Sequence, residues 1–387
     1  METMYLKNLS YEEKHNLATD VKTPAKILAV LAQDIDPRIR EAVAWNENTP
    51  VEALVMLTKD GDYNSRYAVA MANVPEEVLI QLASDDYLKV RCAVASNFNT
   101  PPFILATLAK DEDIRVRSAV AENKNTPAEV LAMLAEDESE VVRASVAWNK
   151  NTSADILAML AKDEDDDVRL AVAWNRNTSA NVLAMLAKDE DRDVRSKVAT
   201  NENTSADVLA MLAKDVDIDI RRTVAENKNT KAETLVMLAQ DEDYTVRWVV
   251  AENMNTPVEL LTALAKDENS DVREAVALNR NTPLNTLKIL ANDEEKAVRK
   301  AANKALNERK MSEEELIDLA RSTSDVETLN ILAENQNFKV RCTVVGNKNT
   351  PVEKLTVLAQ DKDMWVRQTV ALNENTSVDV LAMLAQD

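Results

Sequence analysis

Apolar positions recur along the chain in two alternating groups. Between Asn149 and Trp174, Ile156, Leu157 and Leu160 fall on one helical stripe, and after an acidic run Val168 and Val172 stand four apart. The next 26 residues, Asn175 to Thr200, repeat that order of apolar and polar positions almost word for word. Each period predicts two short helices joined by a polar turn, and a fixed period predicts a repeat array. One arginine per period counts the repeats: Arg40, Arg66, Arg91, Arg117, Arg143, Arg169, Arg195, Arg221, Arg247, Arg273, Arg299, Arg341 and Arg367. Thirteen repeats follow, with a half repeat, Asn373 to Asp387, supplying one last helix.

Two steps break the period. Arg66 to Arg91 spans 25 residues, and the usual NxNTP turn shrinks to ANVP at Ala72–Pro75. Arg299 to Arg341 spans 42 and includes NERKMSEEELIDLARSTSD, where Ser312 and Glu315 form a capping box and additional helix is expected. The predicted organisation is an N-terminal capping segment at 1–19, a regular array at 20–302, an irregular helical insertion at 303–330, and C-terminal repeats with a closing helix at 331–387.

The turns carry their own signals. A threonine such as Thr126, Thr152 or Thr178 is expected to cap the first helix, with proline in the first turn where it occurs and a carboxylate three residues on. Asp36 before Pro37 marks the start of the second helix. Asparagine at its end, as at Asn175, predicts a left-handed closing residue in a chain with only two glycines. The aspartate six residues before nearly every counting arginine, as in Asp163 and Arg169, predicts an arginine–aspartate ladder joining layers; only Arg341 lacks it, with Asn335 in place. The few apolar side chains of one repeat cannot offset the entropy of ordering it, so neighbours must stack.

The pattern NxNTPxxVLAxLAxDxDxxVRxxVAxN resembles the leucine-rich repeat variant family, and its half DxDxxVRxxVA is similar to HEAT repeats. The resemblance runs from about Asp20 to Asp387. It implies an all-α, right-handed α-solenoid of about thirteen two-helix repeats plus a terminal half repeat, used mostly for binding other molecules. Members of that family can carry a cysteine cluster for iron and sulfur near the N-terminus. This chain departs there, since its first cysteine, Cys92, stands alone, and no cluster is carried over.

Composition narrows the chemistry. A net charge of −21 on 387 residues opposes direct binding to nucleic acid or to anionic membranes. No apolar run is long enough to span a bilayer and the first residues lack a signal peptide's apolar core, so a cytoplasmic protein is expected. Cys92 and Cys342 lie in repeats too far apart for a bridge. His15 is the only histidine, and Gly61 and Gly346 the only glycines, so histidine metal sites, histidine acid–base pairs and phosphate loops have no basis. Acidic turns such as Asp163–Asp167 lack the glycine and distal glutamate of a calcium loop. No cofactor, metal or catalytic residue is expected.

Function should then sit where the repeats differ. On each second helix the positions three before, one after and five after the arginine point away from the core. They hold Trp45 near the start and Trp148, Leu170, Trp174, Ile218, Arg222, Tyr244 and Trp248 in the centre. Exposed Trp, Tyr and Arg dominate contact surfaces, so these eight are the candidate partner-binding residues. The expected function is a non-catalytic intracellular scaffold for a protein or peptide. The alternative is an acidic nucleic-acid mimic that blocks a nucleic-acid-binding or defence protein, and self-association through the unfinished last repeat is a further expectation.

Overall fold

In a computed structural model of the chain, which describes residues 6, 8–308 and 312–385, the expected all-α repeat array is found. Among the described residues there are 29 helices and no strand. Residues 1–5 and 7 of the expected capping segment, 309–311 of the insertion and 386–387 of the closing half repeat lie outside them. The chain divides into an N-terminal half, Met1–Ser205, and a C-terminal half, Ala206–Asp387. The N-terminal half holds seven helix pairs, from Ala25–Leu31 with Pro37–Trp45 to Ala180–Leu186 with Arg192–Thr200. The C-terminal half holds six, from Ala206–Leu212 with Ile218–Glu226 to Val352–Leu358 with Met364–Ala371, and also Glu313–Ser322 and Val378–Leu384.

Within each half, the second helices of consecutive repeats pack on one another. In the repeat formed by Ala154–Leu160 and Asp166–Trp174, the side chains of Leu157, Leu160, Val168, Ala171 and Val172 are buried, while Ile156 is half-buried at the rim. A seven-residue helix is too short to persist alone in water, so each is held by the layer it packs into.

Two irregular segments take the place of second helices. Tyr11–Thr19 opens on a capping box between Ser10 and Glu13 and packs against Pro37–Trp45. Four residues after that cap, Lys14 pairs with Asp34 at 2.8 Å; Arg40, four residues after its own cap Asp36, pairs with Asp60 at 2.5 Å. The long step contains a second helix extended to 13 residues, Lys296–Glu308, followed by Glu313–Ser322, which opens on the capping box of Ser312 and Glu315. Glu313–Ser322 packs against Phe338–Gly346 as second helices do, yet among the described residues it has no first helix of its own. It is a layer with one helix instead of two.

The turns work differently from the expectation. Asn175 closes its helix with φ −67° and ψ 131°, and among the described residues no non-glycine has a positive φ. Asparagine is needed for its amide: Asn175 Nδ2 donates to the carbonyls of Ala147 and Asn149 in the preceding repeat, at 2.7 and 3.0 Å. Its Oδ1 accepts the N–H of Asn177, whose own amide donates back to Lys150 O at 2.7 Å. Threonine does not cap the first helix either. Thr178 Oγ1 donates to the Val172 carbonyl at 2.6 Å, and the next residue, Ser179, takes the N-cap position; elsewhere proline does, as at Pro50 and Pro127. The NxNT motif thus supplies three side chains that satisfy backbone groups at the ends of second helices.

The ladder joins layers, as expected, with the carboxylate supplied by the following repeat. Arg143 holds Asp163 through parallel hydrogen bonds of 2.6 and 2.8 Å, and Arg169 holds Asp189 through bonds of 2.7 and 3.0 Å. The aspartate six residues before each arginine contributes its carbonyl: Arg169 Nη1 donates to Asp163 O at 2.9 Å. Asp163 therefore receives one guanidinium on its carboxylate and another on its backbone. Rungs of this kind run from Arg40–Asp60 to Arg169–Asp189 in the N-terminal half, and include Arg221–Asp241, Arg247–Asp267, Arg273–Asp293 and Arg341–Asp361 in the C-terminal half. At the one-helix layer Arg299 reaches Asp325 at only 3.5 Å.

Candidate binding face on the second helices

Within each half the ladder and the asparagine amides fix second helices against their neighbours, so residues at the same register of consecutive repeats come side by side. Trp148 and Trp174, the last residues of Glu140–Trp148 and Asp166–Trp174, have ring centroids 4.8 Å apart with planes tilted by 55°. They remain 41% and 44% exposed, so the pair is not sealed between layers. Leu170, on the second of these helices, is half-buried.

Nearer the chain start Trp45 meets Tyr67 edge-on at 6.3 Å, and Tyr63 stacks on Tyr87 at 4.7 Å. Trp45 also lines a cleft of about 450 Å³ with Tyr11, His15, Arg38 and Glu41. There Arg38 lies over the Tyr11 ring at 4.3 Å and His15 beside it at 5.6 Å. Glu41 also lines an adjoining cleft of about 520 Å³, shared with Tyr67, Met71, Leu88 and Cys92. Burial pushes the Cys92 thiol up, chiefly, with nearby aspartates adding to it, which disfavours the reactive thiolate.

The C-terminal half carries the other four predicted residues. Arg222 and Trp248 line one cleft of about 600 Å³ on Ile218–Glu226 and Tyr244–Glu252. Ile218 and Tyr244 begin those helices and are exposed outside that lining. The eight candidates thus divide equally between the two halves of the chain, with Trp148–Trp174 and Arg222–Trp248 brought together.

Sequence reasoning missed several lining residues. Glu226 and Glu252 occupy the same register as Trp148 and Trp174, and both line the Trp248 cleft. Burial and the neighbouring Glu226 push the Glu252 carboxyl up. Tyr11, His15 and Arg38 were missed because the leader was not read as a second helix. The signal was present: Lys14 stands four residues after Ser10, as Arg40 does after Asp36.

Among the described residues no group of three His, Cys, Asp or Glu side chains could hold a metal ion, and no helix is long and apolar enough to cross a membrane.

The family described as leucine rich repeat variant matches residues 114–139, a second helix with the first helix of the next repeat. That match bears out the resemblance read from the repeat pattern. A solved structure described as a leucine-rich repeat variant with a novel repetitive structural motif is 28% identical, over 57% of this chain and 87% of that one, with a TM-score of 0.46. Another, described as Kap95p binding that induces the switch loops of RanGDP to adopt the GTP-bound conformation, is 11% identical over 98% of this chain and 66% of that one, with a TM-score of 0.44. No curated protein matches the chain.

Proposed function

We propose that this array, whose repeats resemble leucine-rich repeat variants, is a non-catalytic scaffold that engages a protein or peptide partner through the exposed face of its second helices. The observation that carries the reading is the Trp148–Trp174 pair. Two indoles at one register, in contact and two-fifths exposed, present a large rigid apolar surface beside half-buried Leu170. Leaving two tryptophans in water has no benefit to the fold, whereas covering them on a partner releases ordered water. The repeats around them keep small or charged residues at the same register, such as Glu122 and Thr200, so the aromatic surface is local.

The test compares proteins captured by the purified chain with those captured by W148A/W174A at equal concentration. A specific partner lost with the variant supports the reading; identical captured sets overturn it. Capture at rising salt separates this reading from the nucleic-acid mimic, because an interface built on charge weakens steeply with salt and one built on aromatic burial does not.

A further inference from the structure

We propose that the Trp148–Trp174 pair is covered by an acidic, apolar-rich segment of a partner protein, with its carboxylates on a row of cations that borders the indoles. The inference rests on the scaffold reading and specifies the chemistry that this face recognises. Lys150 and Arg176 stand two residues after Trp148 and Trp174, and Lys124 holds the same position one repeat earlier. Asparagine amides stack the turns that carry them. Asn151 Nδ2 donates to Lys124 O at 2.6 Å, Asn177 Nδ2 to Lys150 O at 2.7 Å, and Asn203 Nδ2 to Arg176 O at 2.6 Å. All three cationic side chains are exposed. The turns therefore set three cations in a row along one edge of the aromatic surface.

These cations differ from the ladder arginines. Arg143 and Arg169, on the two tryptophan helices, are spent on Asp163 and Asp189. Among the described residues no carboxylate pairs with Lys124, Lys150 or Arg176, and Lys124 lies over the Phe98 ring at 4.5 Å. Glu122, at the tryptophan register one repeat earlier, accepts from Ser145 Oγ at 3.3 Å and Ser118 Oγ at 3.5 Å. The row ends where Glu202 takes the position in the following repeat. Glu140, Asp166 and Asp167 open the same two helices, seven or eight residues before the indoles. At 1.5 Å per residue that is about 10–12 Å, farther than the screening length of about 8 Å at physiological salt. Charge on this face is thus segregated: a segment lying across the repeats at the helix ends meets indoles and cations together. A basic segment in that place meets like charge, and the net −21 of the chain acts only at long range.

The row spans two layers, about 20 Å, which an extended strand covers in seven residues with alternate side chains on opposite sides. The test is a titration of the full chain, its tryptophan indoles labelled for NMR, at physiological salt with three N-acetylated peptide amides: ELELELE, KLKLKLK and ESESESE. ELELELE is expected to shift the Trp148 and Trp174 resonances saturably. KLKLKLK and ESESESE, which lose the charge sign and the apolar side, should each bind at least about tenfold more weakly. K150E/R176E should weaken ELELELE by about tenfold or more. K162E/K188E, an equal change of charge at exposed positions just after first helices, should leave it unchanged. Absence of a shift at both indoles, full affinity of ESESESE, or full affinity in K150E/R176E overturns the proposal. Binding of KLKLKLK as tight as that of ELELELE, at the same two indoles, overturns it while leaving the scaffold reading intact.

Discussion

Asn335 stands where the other repeats carry the aspartate that receives an arginine, and the helix that would supply the arginine carries Leu316 in its place. The two departures are one event. Glu313–Ser322 lacks a first helix and has no arginine four residues after its cap, so an aspartate at 335 would face no guanidinium. Asparagine keeps the two neutral duties of the position: its Oδ1 accepts the Asn337 N–H at 2.9 Å, and its carbonyl accepts from Arg341 at 2.8 Å. An unpaired, half-buried carboxylate is thereby avoided.

This predicts a coupling that either change alone should not show. Asn335→Asp is expected to be neutral or mildly destabilising, and Leu316→Arg likewise. Combined, they should restore a rung, with a favourable coupling of about 1 kcal/mol in urea unfolding. Strict additivity of the two changes would show that the charge was not removed for want of a partner.

The intact rungs make stability depend on pH. Burial pushes the Asp163 carboxyl up, but the Arg143 hydrogen bonds, the Asp165 N–H and the neighbouring guanidinium charge outweigh it and hold it below the ordinary carboxylate value. Asp189 is held down in the same way by Arg169. A carboxyl depressed in the folded state binds its proton less readily than in the unfolded chain. Its contribution is therefore complete above the unfolded value, about pH 4, and is lost as pH falls through the folded one. Urea midpoints should be level between pH 7 and about pH 5 and fall below about pH 4. Asp189→Asn should lower the plateau by about 2 kcal/mol and flatten the acid limb, since it removes one titrating rung and leaves Arg169 unmatched. An unchanged acid limb in that variant would remove the rung from the account.

The asparagine amide gives a second discriminating substitution. Asn149 Nδ2 donates to Ala121 O at 2.6 Å and to Asn123 O at 3.1 Å, and the side chain is buried. Asn149→Ala should cost about 2 kcal/mol, because both acceptors lose their partner away from water. Asn149→Gly should be no milder. At a left-handed closing residue glycine would outperform alanine, but Asn149 has φ −68°. A glycine variant clearly more stable than the alanine one, by thermal or urea unfolding, would contradict the inter-repeat role.

The repeat was legible because its determinants are local and recur. Leu157 and Leu160, then Val168 and Val172, announce two helices from spacing alone, and Arg169 counts the period. What asparagine and threonine do was not legible, because the partners of Asn175 and Thr178 are backbone carbonyls. A carbonyl has no residue identity, so no pattern of letters points to it. The ladder was half legible: aspartate and arginine recur together, but Asp163 serves Arg143 through its side chain and Arg169 through its backbone. The exposed register of Trp148 could be read from helical spacing. The cleft shared by Arg222, Glu226, Trp248 and Glu252 could not, since it depends on how closely two repeats approach.

Exposure and function should separate at Trp174. Its ring touches Trp148 but is 44% exposed, so removing it forfeits a modest aromatic contact without opening a closed cavity. Trp174→Ala is expected to change unfolding free energy by about 1 kcal/mol or less. If the pair anchors a partner, the same substitution should weaken binding by 2 kcal/mol or more, about thirtyfold, because the indole is then desolvated on both sides. Val172→Ala, two residues away on the core side of the same helix, should do the reverse, costing about 2 kcal/mol of stability while leaving the exposed surface unaltered. Binding and unfolding measured on both variants would decide it: parallel losses in the two assays mean that Trp174 serves the fold, and opposite rankings mean that it serves the partner.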